Sequence, residues 1–433
     1  MEKLKRRHIA AVTAGNALEF YDFVTYAFFS IQIGHAFFPA RTSYGSLMLS
    51  LATFGAGFIT RPIGAFVIGN FADRVGRRPA MMLCFVLMGC AIVAMAVIPP
   101  YSIIGIAAPI LAITARLLQG FSLGGEIGSN TAYLSEAATP QNRGLIVSWQ
   151  SASQNISLII GGMVGVALTS LLPAAQLDAY GWRIAFLLGA VTVPFGLWLR
   201  SSLPETLHAP EVTIVAAKPV AGSRLLEARR HWRIFAIGLM YLGSATISTY
   251  IFTYIVTYAQ ATINLSARVG FIAETVGNVL TIPTILYAGA MSDRHGRRPV
   301  TIWGNLLFLV LIYPTFAWIA ASRSETAFIL GFILLNVVSQ ISTGAFYASL
   351  VESLPKSIRG TGFGLTYSFA IAAFGGTTQL VVTWLLHLTH DAMAPAWYLT
   401  GATFIGQIAV MLMPESAPSQ LVRPVRGAPR RAT

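Results

Sequence analysis

The sequence predicts an all-α membrane protein, and two features of its composition and one repeated feature of its hydropathy indicate this. Charged residues make up only 10% of the 433 residues, whereas soluble proteins carry about 25%. Hydrophobic residues make up 55%, and the mean hydropathy is +0.66. A bilayer core about 30 Å thick requires about 20 apolar residues per helix, and runs of that length recur along the chain. We therefore expect lipid to be the main solvent of this protein.

Twelve apolar runs are long enough to cross a membrane, and short polar segments separate them. We number them spans 1 to 12: 12–37, 45–71, 80–99, 103–134, 145–172, 183–203, 233–260, 268–291, 299–320, 326–352, 361–388 and 396–413. A long polar stretch after span 6 predicts four regions. These are an N-terminal six-helix half (1–203), a cytoplasmic linker (204–232), a C-terminal six-helix half (233–413) and a cytoplasmic tail (414–433).

The basic residues are distributed asymmetrically between alternate loops. Of the 29 Lys and Arg residues, 23 lie in the terminal segments or in loops on the same side as the termini. Four lie on the other side: Arg41, Arg183, Arg268 and Arg323. Because Lys and Arg are retained in the cytoplasm, this distribution predicts that both termini are cytoplasmic. The net charge of +13 therefore reflects topology and does not indicate nucleic-acid binding.

The two halves of the chain are related by an internal repeat. The segment Gly69–Arg78 (GNFADRVGRR) recurs 220 residues later as Gly289–Arg298 (GAMSDRHGRR). Two further pairs agree with it: Glu136 before Arg143-Gly144 with Glu352 before Arg359-Gly360, and Pro204-Glu205 with Pro414-Glu415. Three matched pairs at nearly one offset indicate duplication.

The repeated G-x-x-x-D-R-x-G-R-R pattern resembles the signature of the major facilitator superfamily of transporters. Other segments resemble its metabolite:proton symporter branch, and most of all citrate-proton symporters: Gly15–Glu19, Asp22-Phe23, Arg61–Gly64, Arg116–Ser122, Ser148–Gln154, Asn264–Arg268 and Phe374–Gly376. The resemblance implies the major facilitator fold of six plus six helices, an alternating-access cavity between the halves, and proton symport. It implies a secondary transporter and not an enzyme.

The substrate class stays open at this stage. The resemblance favours import of citrate or a related tricarboxylate. The alternative is another small solute, either a dicarboxylate such as 2-oxoglutarate or a zwitterionic osmolyte such as betaine.

Charged residues within the spans are functional candidates because a charge at the bilayer centre costs about 2.5–3.5 kcal/mol or more. Arg116 lies near the middle of span 4. A guanidinium binds a carboxylate through two parallel hydrogen bonds and stays charged in a low dielectric. We therefore expect Arg116 to anchor the substrate.

Acidic residues within the spans are candidates for proton coupling, because burial favours their neutral form and lets them exchange protons. These are Glu19, Asp22 and Glu126. Arg61 in span 2 is expected to form a buried ion pair with an acid of span 1 or 4. For Arg61, and for Glu274 in span 8, a role in fixing helix register is an equally good interpretation.

Polar side chains at helical spacing predict inward faces on several spans. The expected substrate-binding residues besides Arg116 are Asn16, Tyr26, Gln150, Gln154, Tyr254, Tyr258 and Gln340. Polar residues in membranes also join helices without binding substrate, and for the serines and threonines on these faces that alternative is equally good.

Charged residues of the repeated loop motifs are expected to form a cytoplasmic gate, a role that the family resemblance implies. They are Asp73, Arg77, Glu136 and Arg143 in the first half and Asp293, Arg297, Glu352 and Arg359 in the second. These contacts would hold neighbouring helices together and would not bind substrate.

Other chemistry finds little support in the sequence. The seven histidines are scattered and have no metal-site spacing, so we expect no metal, no cofactor and H⁺ as coupling ion. The expected partners are a small carboxylate, protons and the lipid bilayer, with no nucleic acid. We expect a bacterial inner-membrane protein that functions as a monomer.

Overall fold

The computed structural model describes residues 13–14, 16–17, 20–21, 24–75, 77–124, 134–135, 138–139, 141–201, 231–354, 359–417 and 420. Each predicted span coincides with helix in its described part. The helices of the N-terminal half are Ser30–Phe37 (span 1), Ser43–Ile59 and Arg61–Val75 (span 2), Arg77–Val97 (span 3), Tyr101–Ile104 and Ala107–Leu123 (span 4), Arg143–Leu171 (span 5), and Ala174–Gln176, the π-helical Leu177–Gly181 and Trp182–Ser201 (span 6).

The C-terminal half follows the same order of six spans. Its helices are Trp232–Thr253, Ile255–Tyr258 and the π-helical Ala259–Ile263 (span 7), Ala267–His295 (span 8), Arg297–Ser322 (span 9), Glu325–Ser353 (span 10), Arg359–Ala370, the π-helical Ile371–Gly375 and Gly376–Thr389 (span 11), and Ala394–Leu412 (span 12). Prolines inside spans 6, 8 and 9 are tolerated in membrane helices because neighbouring groups satisfy the freed backbone.

The outer surface of the bundle suits contact with lipid. Seven of the described helices are long and apolar enough to cross a membrane. Large apolar side chains such as Phe66, Trp303 and Val310 are 73%, 69% and 62% exposed. A water-soluble monomer rarely exposes contiguous apolar surface of this kind.

Glycines allow very close helix contacts within the N-terminal half. A Cβ on Gly120 of span 4 would lie 1.5 Å from the Gly57 carbonyl oxygen of span 2. A Cβ on Gly124 would lie 2.0 Å from the Arg61 carbonyl oxygen. Gly120 and Gly124 of span 4 therefore pack against span 2, as small residues commonly do in membranes.

Among the described residues, two of the seams at which the halves meet contain close glycine contacts. Span 5 packs on span 8, where Gly144 approaches Gly289 at one end and Gly165 approaches Phe271 at the other. Span 2 packs on span 11, where a Cβ on Gly55 would lie 2.4 Å from the Gly376 carbonyl oxygen. We call the end of the bundle where span 5 begins and span 8 ends the motif end, and the other end the opposite end.

Candidate functional site

A cavity of about 90 Å³ lies inside the bundle, mostly within the C-terminal half. One water molecule needs about 10–15 Å³, so there is room for several. The predicted binding residues Gln154 and Gln340 line it. Its polar lining also includes Ser151, Asn155, Thr246, Thr249, Thr253, Asn278, Asn305, Asn336, Ser339 and Thr343. The arrangement offers hydroxyl and carboxamide groups to a small polar solute.

Glu274 of span 8 also lines this cavity, with its residue only 2% exposed. The amide of Asn278, one turn further, donates a hydrogen bond over 2.7 Å to the Glu274 carbonyl oxygen. Sequence reasoning left Glu274 open between structure and function and did not single out Asn278. Their i, i+4 spacing was the available signal, because it places both residues on one helix face.

Four tyrosines line the cavity, namely Tyr241, Tyr250, Tyr347 and Tyr367. The Gln154 amide donates a hydrogen bond over 3.4 Å to the Tyr367 hydroxyl, so it links span 5 to span 11 across the two halves. The Tyr241 hydroxyl lies 2.8 Å from the Ser342 hydroxyl, to which it donates a hydrogen bond. Tyr241 and Tyr250 belong to span 7, Tyr347 to span 10 and Tyr367 to span 11.

Arg116 is completely buried but does not line the cavity. Its guanidinium carbon lies 4.5 Å from the ring centre of Tyr26 and 5.0 Å from that of Phe54. Its Nη1 donates a hydrogen bond to Gln119 Oε1. The predicted anchor and the predicted binding residue Tyr26 are thus in contact, and the Tyr26 hydroxyl donates over 3.1 Å to the Ser50 carbonyl oxygen.

The rings of Phe54, Phe58 and Tyr250 pack against one another, and Arg61 lies against one of them. Its guanidinium carbon lies 4.5 Å from the ring centre of Phe58. Phe58 and Phe54 pack edge-on against Tyr250, with ring centres 5.3 and 6.0 Å away. Tyr250 lines the cavity, so it connects the cavity wall to the rings that contact the two arginines.

The predicted residues on spans 1 and 5 contact each other. Asn16 Nδ2 donates a hydrogen bond over 2.6 Å to the Ser153 hydroxyl. The Gln150 amide donates over 3.5 Å to Asn16 Oδ1. The predicted proton-coupling residues Glu19, Asp22 and Glu126 lie outside the described residues.

Tyr254 and Tyr258 of span 7 lie towards the opposite end. Thr383 donates a hydrogen bond over 2.9 Å to the Tyr254 hydroxyl. The Tyr258 hydroxyl donates over 2.7 Å to the Ala392 carbonyl oxygen. Neither tyrosine lines the cavity.

A wider vestibule of about 930 Å³ lies at the opposite end and shares no lining residue with the cavity. Its charged and titratable lining includes His35, Tyr44, Asp178, Arg268, Arg323, His387, His390 and Asp391. Two contacts join the halves near this vestibule. Tyr44 stacks on His387 with ring centres 3.9 Å apart, and the hydroxyls of Ser30 and Thr257 share a hydrogen bond of 3.1 Å.

Ion pairs close the motif end. Arg297 donates from Nη2 and Nε to the two oxygens of Glu352, over 3.1 and 3.2 Å. Its Nη1 lies 2.6 Å from Asp293 Oδ1. Arg143 of the N-terminal half donates to Glu352 Oε1 over 3.4 Å. Four of the eight predicted gate residues therefore form one cluster that joins the halves.

Carboxylates also cap two helices at the motif end. Asp293 accepts the backbone N–H groups of Gly144 and Leu145, over 2.9 and 3.1 Å, at the start of span 5. Glu415 accepts those of Arg297 and Arg298, over 2.9 and 3.0 Å, at the start of span 9. Negative charge is favourable at helix N-termini because N–H groups there lack helical partners. The Asp293 contact crosses between the halves.

The remaining predicted gate residues cannot be placed. Glu136 and the side chains of Asp73, Arg77 and Arg359 lie outside the described part of the structure.

Comparison with known proteins decides the family. Residues 8–208 match the model of the Sugar (and other) transporter family, and residues 272–432 match that of the Major Facilitator Superfamily. The chain is 38% identical over 412 residues to the citrate-proton symporter of Salmonella typhi, with 94% of this chain and 93% of that protein covered. This chain belongs to the major facilitator superfamily.

Two further comparisons agree with this membership of the major facilitator superfamily. The citrate-proton symporter of Klebsiella pneumoniae is 36% identical over 93% of this chain and 90% of its own length. The crystal structure of a D-xylose-proton symporter has a TM-score of 0.74 at 17% identity, covering 95% of this chain and 98% of that one. The predicted major facilitator fold is therefore confirmed, and the chain is a multi-pass membrane transporter and not an enzyme.

In this major facilitator the predicted substrate-binding residues form four groups. Gln154 and Gln340 line the cavity. Arg116 and Tyr26 contact each other and Phe54, and Tyr254 and Tyr258 lie towards the opposite end. Asn16 and Gln150 bind each other between spans 1 and 5. The substrate-binding roles stay predictions.

Proposed function

We propose that this protein imports citrate or a related tricarboxylate together with protons, by alternating access. The observation that carries this is the 38% identity to a citrate-proton symporter over nearly the full length of both chains. The polar cavity suits a solute rich in oxygen atoms, because its hydroxyl and carboxamide groups can donate hydrogen bonds to carboxylates. The distribution of Lys and Arg supports an inner-membrane orientation with both termini cytoplasmic.

In the proposed cycle the ion pairs at the motif end form the cytoplasmic gate. Citrate arrives through the vestibule, passes the Tyr44–His387 contact and occupies the cavity. The gate cluster of Arg143, Asp293, Arg297 and Glu352 then separates and releases citrate inside. Arg116 and Arg61 contact the substrate in this cycle only when the Phe54, Phe58 and Tyr250 rings move.

Proton coupling follows from the energetics of an anionic substrate. Moving one negative charge inwards against an inside-negative potential costs about 2.3 kcal/mol per 100 mV. Moving a trianion inwards therefore costs about 7 kcal/mol per 100 mV. Co-transported protons offset this cost, and three of them would make uptake electroneutral. The proposed cycle uses H⁺ as its coupling ion, no cofactor, and one chain, because a single chain forms the cavity.

Uptake by purified protein in proteoliposomes tests the proposal. Labelled citrate should accumulate under an inward proton gradient, and a protonophore should abolish accumulation. Tricarballylate should compete, whereas succinate, 2-oxoglutarate and betaine should compete weakly. Absence of both citrate and tricarballylate uptake, with intact protein in the vesicles, would refute the proposed substrate.

A zwitterionic osmolyte is the second candidate, and the cavity lining is what favours it. Glu274 and the aromatic rings of Tyr250, Tyr347 and Tyr367 line the same space. A carboxylate with aromatic faces can bind a quaternary ammonium group through charge and cation–π attraction. Strong betaine competition in the same assay would favour this alternative over citrate.

A further inference from the structure

Glu274 is a buried acid in the membrane-spanning part of the C-terminal half. It is 2% exposed and lines the cavity. Among the described residues, no Lys, Arg or His forms an ion pair with it. An ionised carboxylate at this depth is costly unless it is paired, and burial favours the protonated, neutral form.

The other polar groups that line this cavity are uncharged in the described structure. Spans 7, 10 and 11 contribute the phenol groups of Tyr241, Tyr250, Tyr347 and Tyr367. Span 5 contributes Ser151, Gln154 and Asn155, span 9 Asn305, and span 10 Asn336, Ser339, Gln340, Ser342 and Thr343. Glu274 is therefore the only carboxyl group among the described cavity-lining residues.

We propose that Glu274 is a binding site for the coupling proton, and that its protonated carboxyl group donates a hydrogen bond to a carboxylate of the substrate in the same cavity. This inference rests on the proposed function as a proton symporter. It assigns coupling to the C-terminal half, in addition to the acids that the sequence suggests in spans 1 and 4.

The proposed arrangement couples proton and substrate directly. The ionised Glu274 repels an anionic substrate, whereas the protonated carboxyl group binds one through an O–H···O⁻ hydrogen bond, which is stronger than a neutral one. Each ligand must then raise the affinity for the other by the same factor. The proton is taken from water on the vestibule side. It returns to water at the motif end after the substrate has left and Glu274 ionises.

Glu274→Gln tests this role because a carboxamide also donates a hydrogen bond but carries no exchangeable charge. We expect the purified variant in proteoliposomes to retain citrate exchange across the membrane at neutral pH. Its accumulation of citrate under a proton gradient should fall at least about tenfold, because the variant no longer carries the coupling proton at this position. Its exchange rate should be independent of pH where the wild type depends on pH.

A second measurement does not depend on transport. Wild-type protein in weakly buffered detergent solution should take up protons when citrate is added, and the Glu274→Gln variant should take up about one fewer per chain. Glu274→Asp keeps a titratable group and should retain accumulation at a lower rate. Glu325→Gln is the matched control, since Glu325 is an exposed residue at the start of span 10, and should behave like the wild type.

The possible outcomes separate this inference from the proposed function. Failure of the wild type to transport citrate would refute the proposed substrate. Equal proton-driven accumulation by the wild type and Glu274→Gln would overturn the Glu274 role alone, as would unchanged proton uptake on binding. If Glu274→Gln does not fold, a folded Glu274→Asp variant that takes up one proton fewer than the wild type when citrate is added would overturn it.

Discussion

At the scale of single residues, Arg116 shows how a buried cation is stabilised in this membrane protein. Its guanidinium lies against two aromatic rings and donates to the Gln119 side chain. Cation–π contacts contribute about 2 kcal/mol or more when desolvated, and the planar guanidinium can donate several hydrogen bonds at once. An ammonium group lacks this planar shape, so the two cations are not equivalent at this position.

We therefore expect Arg116→Lys to reduce citrate uptake by about tenfold or more, because the geometry for hydrogen bonding and stacking is lost while the charge is kept. Membrane insertion should be unchanged. Uptake would be measured together with the amount of protein in the membrane. Arg233→Lys is the control, since Arg233 is exposed beside Trp232 and should lose little activity. Wild-type uptake by Arg116→Lys would remove Arg116 from the transport site.

At the scale of elements, the contact between spans 2 and 11 depends on two glycines. The backbone at Gly55 and Gly376 leaves no space for a Cβ, and backbone atoms cannot yield as a flexible side chain can. Added methyl groups in well-packed contacts cost about 1–3 kcal/mol. The seam between the halves should therefore tolerate no side chain at Gly55.

Gly55→Ala should slow citrate transport about tenfold, because an added methyl group in the contact between spans 2 and 11 costs about 1–3 kcal/mol. Transport rates and melting temperature of the purified variant would be measured. Gly401→Ala in span 12 is the matched control, because no atom lies within 4 Å of the Cβ position, and it should transport normally. Equal behaviour of the two variants would contradict the close contact between spans 2 and 11.

The gate cluster at the motif end is also a property of elements, because it joins the ends of spans 5, 8, 9 and 10. Glu352 accepts hydrogen bonds from Arg297, Arg143 and the Ser416 hydroxyl. Removing one charge from a buried pair leaves the others uncompensated. Loss of the Glu352 charge should therefore destabilise the closed arrangement at the motif end.

Glu352→Gln should open the motif end more often, because Arg297 and Arg143 lose their shared carboxylate. The measurement is maleimide labelling of Ser151→Cys, a cavity position, in protein lacking Cys84 and Cys90 and in inside-out vesicles. We expect labelling to be several-fold faster with Glu352→Gln, because loss of one charge leaves its partners uncompensated. With Glu325→Gln the rate should not change. An unchanged labelling rate with Glu352→Gln would argue against the gate.

At the scale of the whole molecule, the structure places alternate loops at opposite ends of the bundle. The vestibule brings together residues from the segments that follow spans 1, 5, 7, 9 and 11. The gate cluster involves the ends of spans 5, 8, 9 and 10. The described start of span 1 lies towards the motif end, where Asn16 contacts Ser153, and Glu415 after span 12 contacts Arg297 at that end. The basic residues predict the motif end to be cytoplasmic.

Reporter fusions test this orientation. A fluorescent protein fused after the tail should fluoresce, and alkaline phosphatase at the same position should be inactive, because the excess of Lys and Arg retains that side in the cytoplasm. Alkaline phosphatase inserted after Asp391, in the loop between spans 11 and 12, should be active. The reverse pattern would refute the predicted orientation and would place the vestibule inside the cell.

The sequence by itself determined that the protein lies in a lipid membrane, how many spans it has and that its two halves are related. Hydropathy, charge and repeats can be read directly along the chain. Only the tertiary structure decided which polar residues share a cavity. Spans such as 8 and 10 show little amphipathic contrast around their circumference, so their rotation depends on packing against neighbours. That packing placed Glu274, Asn278 and Gln340 in one cavity, and it put Arg116 against the rings of Tyr26 and Phe54. Charge in a span marks a residue as important, but the environment of that charge is a property of the folded bundle.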